Sequence, residues 1–144
     1  MSYYVAASVV CPSEVGGMQS PVAFFDVDRK LDVSVLTSLI LQRLSSVGDD
    51  GKRSILFKEA LSRVMIYRPK DLTHFALLLF SIQNSGFKPR LFVLDSLSAY
   101  LYDLGNNEAQ RTLFHSILEQ FRIVLREKQA SLLVLSPSSI KVLE

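Results

Sequence analysis

Short, continuous apolar runs alternate with longer stretches of helical spacing along this chain. That alternation predicts an α/β fold: a mainly parallel sheet of four strands with helices on both faces. Three observations carry the prediction. Runs such as VAFFDV and RLFVLD are apolar almost throughout, as strands covered on both faces must be; half-exposed strands would alternate. The stretches between them repeat apolar residues three and four apart. The composition, 49% apolar and 21% charged over 144 residues, suits one well-buried domain, residues 1–144, without a disordered tract.

The elements follow in order. SYYVAASVV reads as a short helix stopped by Pro12 and the turn-forming SEVGG. VAFFDV is the first strand. In LDVSVLTSLILQRL, Leu36, Leu39, Ile40 and Leu44 share a helical stripe, and Asp32 is placed to cap it. VGDDGK reads as a loop and ILFKEALSRV as a helix leading into the strand RVMIY. Asp71 can cap LTHFALLLFSIQNSG, with Gly86 as its stop. RLFVLD is the third strand. EAQRTLFHSILEQFRIVLREK is the clearest helix: Leu113, Ile117, Phe121 and Val124 line one stripe, with acidic residues at its start and basic ones at its end, as the helix dipole favours. SLLVLS is the fourth strand.

Composition narrows the chemistry. No apolar run approaches the ~20 residues of a bilayer-spanning helix. MSYYVAASVVCP has no basic leader of the secretory kind. One cysteine, Cys11, excludes an internal disulfide framework and suits a reducing compartment. Two histidines and one cysteine far apart make no zinc motif. A net charge of +2 permits nucleic-acid contact without arguing for it.

In parallel sheets, ligands collect at the carboxyl ends of strands, where Asp28, Asp95 and Ser136 fall. Ordinary structural roles stand beside each functional one. Asp95, Ser96 and Ser98 sit where residues cap the next helix. Asp28 suits a solvated turn, His74 a hydrogen-bonded packing position, and Cys11 a small buried hydrophobe. Arg53, Lys88, Arg90, Arg122, Arg126 and Lys128 could meet nucleic-acid phosphates or simply be solvated charges of helix ends and loops.

Two families carry similar phrases. FFDVDRKLD resembles the first motif of haloacid-dehalogenase-type phosphatases, in which Asp26 would be the nucleophile and Asp28 the acid–base residue. Arg29 and Lys30 stand where that family has Gly-Thr, and SLLVLSPSS ends in hydroxyls where it needs acids for magnesium. RLFVLDSLSA resembles a Walker B strand of the RecA class, with Asp95 at the position that holds the water shell of magnesium and Ser96 after it. FFDVD then resembles the strand ending in the catalytic acid, with Asp28 at the general-base position. CPSEVGG, VAFFDVDRKLDVSVLTSLILQRL, YRPKDLTHFALLLFSI and LFVLDSLSAYLYD, in this order, are similar to the eukaryotic RecA-like recombinase paralogues, of the X-ray-repair-cross-complementing type. The similarity runs from about Tyr3 to Ser138.

The resemblance implies a partial RecA-like core. The P-loop pattern Gly-x-x-x-x-Gly-Lys-Ser/Thr does not occur; GDDGKRS, Gly48 to Ser54, lacks its spacing. By the resemblance the chain begins inside the helix that follows the P-loop, so it is truncated. Ser138 occupies the place of a polar sensor. Phe57 and Ala60 of FKEA match the Phe-x-x-Ala pattern by which recombinases dock on neighbours, though a helix burying both is the simpler account. The implied function is a non-catalytic subunit of a recombinase-paralogue complex in the nucleus, supporting double-strand break repair by homologous recombination. Its partners would be other paralogue subunits, with DNA reached through the complex, and no membrane. Full-length members use ATP and magnesium; this chain, with its Walker B residues vestigial, is expected to need no cofactor. The alternative is a DNA-stimulated ATPase subunit that receives a P-loop in trans. In the family the P-loop strand lies between the Walker B strand and the last one. SLLVLS is therefore expected either to close against RLFVLD or to leave a gap for a partner, with the first helix's apolar side exposed.

Overall fold

Strand positions follow the apolar runs closely. The structure, a computed structural model, describes residues 1–136 and 139–143. The strands β1 (Val22–Asp26), β2 (Val64–Tyr67), β3 (Leu91–Asp95) and β4 (Ser131–Ser136) lie parallel in the order β2-β1-β3-β4. A fifth strand, β5 (Ser139–Leu143), which no sequence signal announced, pairs antiparallel with β4. The helices are α1 (Ser2–Val10), α2 (Val33–Leu44), α3 (Asp50–Ser62), α4 (Leu72–Gln83), α5 (Ser98–Leu104) and α6 (Glu108–Lys128). The fold is thus α/β with helices on both faces of a mainly parallel sheet.

Right-handed crossovers decide which face each helix takes. The step from β1 to β2 runs one way along the sheet and puts α2 and α3 on one face, where α1 joins them. The steps from β2 to β3 and from β3 to β4 run the other way and put α4, α5 and α6 on the opposite face. Alternate strand residues divide accordingly. Val22, Phe24, Leu91, Val93 and Leu133 pack with Ala6, Val10, Leu36 and Ile40. Ala23, Phe25, Phe92, Leu94 and Leu132 pack with Phe75, Leu79, Phe121 and Val124. The second core is aromatic: the Phe121 ring lies 6.0 Å from Phe25, 6.0 Å from Phe75 and 5.4 Å from Phe92. Each such side chain contributes roughly 1.5–3 kcal/mol by burial.

SLLVLS takes the first of its two expected arrangements: Leu132 and Leu133 register against Phe92 and Val93, so the sheet closes between β3 and β4. Other expectations are corrected. Helix α1 buries Ala6, Ala7, Val9 and Val10, so its apolar side is covered. VGDDGK is only partly a loop: the Asp49 carboxylate accepts from the Lys52 N–H at 3.0 Å, and α3 begins at Asp50. Helix α4 ends at Gln83 with Asn84 as its cap, three residues before Gly86. In α6 the buried stripe is Phe114, Ile117, Phe121 and Val124, with Leu113 only partly covered. One glycine is sterically required. A Cβ on Gly17 would lie 2.0 Å from the Cys11 carbonyl oxygen, because the loop after α1 folds back on its end. Ser138 lies outside the described residues.

Candidate functional site at the carboxyl edge of the sheet

The connections leaving β1 and β3 go to opposite faces, so the crevice between the carboxyl ends of these two strands is the topological switch point, where open α/β sheets bind ligands. Asp26 registers with Asp95 across it. The pairing continues past the strand ends, with the Val27 and Asp28 N–H groups donating to the Asp95 carbonyl at 2.8 and 3.3 Å. The structure therefore brings Asp26, Asp28, Asp95 and Ser96 together; of these, Asp28 and Asp95 are expected at the strand ends from the sequence.

Their roles differ. Asp26 is fully buried. Its Oδ1 accepts from the Lys30 and Leu31 N–H groups at 2.9 and 3.1 Å, and its Oδ2 accepts from Arg68 Nε at 3.0 Å. This carboxylate ties the loop after β1 to the end of β2. Asp28 is half-buried, and its Oδ2 accepts from Ser96 Oγ at 2.8 Å. Ser96 is buried and its hydroxyl also meets that of Ser98. The Asp95–Ser96 peptide is cis. Asp95 is half-buried, and burial pushes its carboxyl above the usual range; the charges of Asp28 and Asp26 push the same way, and Lys30 opposes them.

The ordinary roles assigned from the sequence divide. Asp95, Ser96 and Ser98 do not cap α5, whose N-cap is Leu97 without a side-chain cap bond. Asp32 caps α2 by accepting from the Ser34 N–H at 2.9 Å. Asp71 caps α4 by accepting from the His74 N–H at 2.7 Å, and His74 Nδ1 accepts from the Lys70 N–H at 3.0 Å. Cys11 is buried, and burial raises its thiol pKa. Ala60 is fully buried and Phe57 partly so, both within the chain's own core. Among the proposed phosphate contacts, Arg53 is held by Asp50 and the Val47 carbonyl, Arg122 pairs with Glu119, and Lys128 Nζ donates to the Ser85 carbonyl at 2.8 Å.

Three residues that sequence reasoning passed over complete the edge. Arg68 follows the end of β2 as Asp26 ends β1, and opposite charges at the ends of two parallel strands were the available signal. Tyr3 Oη accepts from the Asp32 N–H at 2.9 Å, and its ring stacks on Phe24 at 6.2 Å. Tyr100 is buried edge-on to Phe75, and its Oη has no hydrogen-bond partner among the described residues. Burial pushes its pKa up to about 12, helped by the charges of Asp71 and Asp28. No sequence signal marks it.

Chemically, the edge offers one half-exposed carboxylate, Asp95, beside a carboxylate–hydroxyl pair, Asp28 and Ser96. Among the described residues there is no group of three or more acidic, histidine or cysteine side chains placed to hold a metal ion. No protein-family model matches the chain.

Proposed function

We propose that the chain is a non-catalytic subunit of a nuclear recombinase-paralogue complex, acting in double-strand break repair by homologous recombination through association with other RecA-like subunits. The observation that carries the reading is the switch-point crevice. Asp95 and Ser96 end one strand there, Asp28 follows its neighbour, and the order of elements is the one the resemblance implies. The bonding of Asp28 to the chain's own Ser96 favours a vestigial nucleotide edge. Association is supported by an apolar groove between α4 and α6, where Leu77 and Phe80 are each 62% exposed beside Leu113 and Ile117. A phosphatase role for Asp26 is disfavoured, because both of its carboxylate oxygens are already engaged in a fully buried position.

The test is co-expression of the tagged chain with each of the other recombinase-paralogue subunits, followed by light scattering on the purified product. A stoichiometric complex with at least one of them is expected, and recovery of the chain alone in every case sinks the reading. A fluorescent ATP analogue with magnesium separates the catalytic alternative. No saturable binding is expected; micromolar binding abolished by Asp95→Ala would restore the ATPase.

A further inference from the structure

We propose that the amino edge of the sheet, opposite the carboxylates, binds the phosphate backbone of a nucleic acid directly. Backbone and side-chain hydrogen bonds bring two basic segments together there. The Arg90 N–H donates to the Pro21 carbonyl at 2.9 Å, and the Ser131 N–H donates to the Arg90 carbonyl at 3.0 Å. Lys128 Nζ reaches the Ser85 carbonyl from the end of α6. The loop bearing Lys88 and Arg90 therefore lies against the end of α6 bearing Arg126 and Lys128.

Lys88, Arg90 and Arg126 are exposed and have neither an ion pair nor a side-chain hydrogen bond among the described residues. The acid within this group, Glu127, accepts from Gln83 Nε2 at 3.0 Å. The dipole of α6 accounts for Arg126 and Lys128 at its last turn. It does not account for Lys88 and Arg90, which belong to a loop beyond the end of another helix. Four cations from two segments make a site for a polyanion, with the arginine forks suited to phosphate oxygens. Their exposed neighbours Asn84, Ser85 and Gln129 are polar groups suited to phosphate and sugar oxygens, whereas a membrane-binding edge would set apolar side chains among its cations.

The carboxyl edge is a poorer candidate. Arg29, Lys30, Arg68 and Lys70 stand there among Asp26, Asp28, Asp32, Asp71 and Asp95, so the charges largely cancel. The inference goes beyond the proposed function, which leaves DNA contact to the complex. It rests on charge placement in this chain alone, so it can fail while the subunit reading survives.

The experiment is fluorescence anisotropy of a labelled oligothymidylate and a labelled duplex, titrated with the chain of residues 1–144. Binding that weakens steeply between about 50 and 200 mM salt is expected, as counterion release requires. The double variant K88E/R90E should lose about tenfold or more in affinity and show a salt slope shallower by about one to two. The matched control R29E/K70E at the carboxyl edge should bind as the parent does. If charge reversal impairs folding by circular dichroism, K88A/R90A replaces it, with the same expected flattening of the slope. The proposal is overturned by no binding at the lowest salt, or by equal losses in the two double variants. It is also overturned by capture on phosphatidylserine vesicles without oligonucleotide binding.

Discussion

The two edges of the sheet solve the problem of charge in opposite ways. At the carboxyl edge four of the acids are bound by the chain itself: buried Asp26 by Arg68 and two amides, half-buried Asp28 by Ser96, and exposed Asp32 and Asp71 by the helices they cap. At the amino edge Lys88, Arg90 and Arg126 face solvent without an ion-pair partner among the described residues. Buried polar groups must be satisfied where they stand, so the carboxyl edge is committed to the fold. Exposed charges contribute little to stability and stay available. The contrast teaches that charges gathered at a strand end do not by themselves make a site. What matters is whether the fold has already used them.

Substitutions on the two edges should therefore behave differently. The largest effect is expected from Asp26→Ala, which leaves two loop amides and Arg68 without their acceptor. Unfolding free energy measured in urea should fall by about 2–4 kcal/mol. A loss below about 0.5 kcal/mol would mean that the carboxyl edge is no more committed than the amino edge.

Tyr100→Phe should act in the other direction. It removes a buried hydroxyl that has no partner among the described residues, and should raise stability by about 1 kcal/mol in the same assay. Destabilisation would show that the hydroxyl is satisfied in solution and that the edge has a polar partner there.

Asp95→Asn tests the raised carboxyl. The folded protein holds this proton more tightly than the unfolded chain does. Its ionisation therefore costs stability above the folded pKa, and the cost vanishes below the unfolded value. The variant should melt at a higher temperature than the parent at neutral pH, and the gain should disappear near pH ~3, below the ordinary carboxylate range. A gain that persists in acid would point to packing as its cause.

The smallest effect on stability is expected from K88E/R90E, within about 0.5 kcal/mol of the parent, although its loss of polyanion binding should be large. A large destabilisation would show that these cations, like the acids opposite, serve the fold.

Much of the architecture is legible locally. RLFVLD gives β3 with only Arg90 to trim, SLLVLS is β4 residue for residue, and Glu108–Lys128 is helical from end to end. The candidate edge is legible in part. A strand-end position places Asp28, Asp95 and Ser96 together, because parallel strands carry their carboxyl ends to one side of the sheet. Their partners are not legible: Arg68 lies 42 residues from Asp26, and Ser96 lies 68 from Asp28. The misread stripe of α6 has a similar cause. Leu113 and Phe114 are both apolar, and helical spacing accepts either. Only contact with the aromatic face of the sheet selects Phe114.

The sequence by itself determined what depends on neighbours a few residues apart: the apolar runs of the strands, the helical periodicities, and the caps Asp32 and Asp71, whose carboxylates reach amides two and three residues on. The tertiary structure decided what depends on strand order. It closed β4 onto β3, covered α1, buried Asp26 against Arg68 and left the cations of the amino edge outward. Which side chains end in water and which among partners is set only when distant segments pack, and that packing turns a row of charges into either a structural clamp or an open surface.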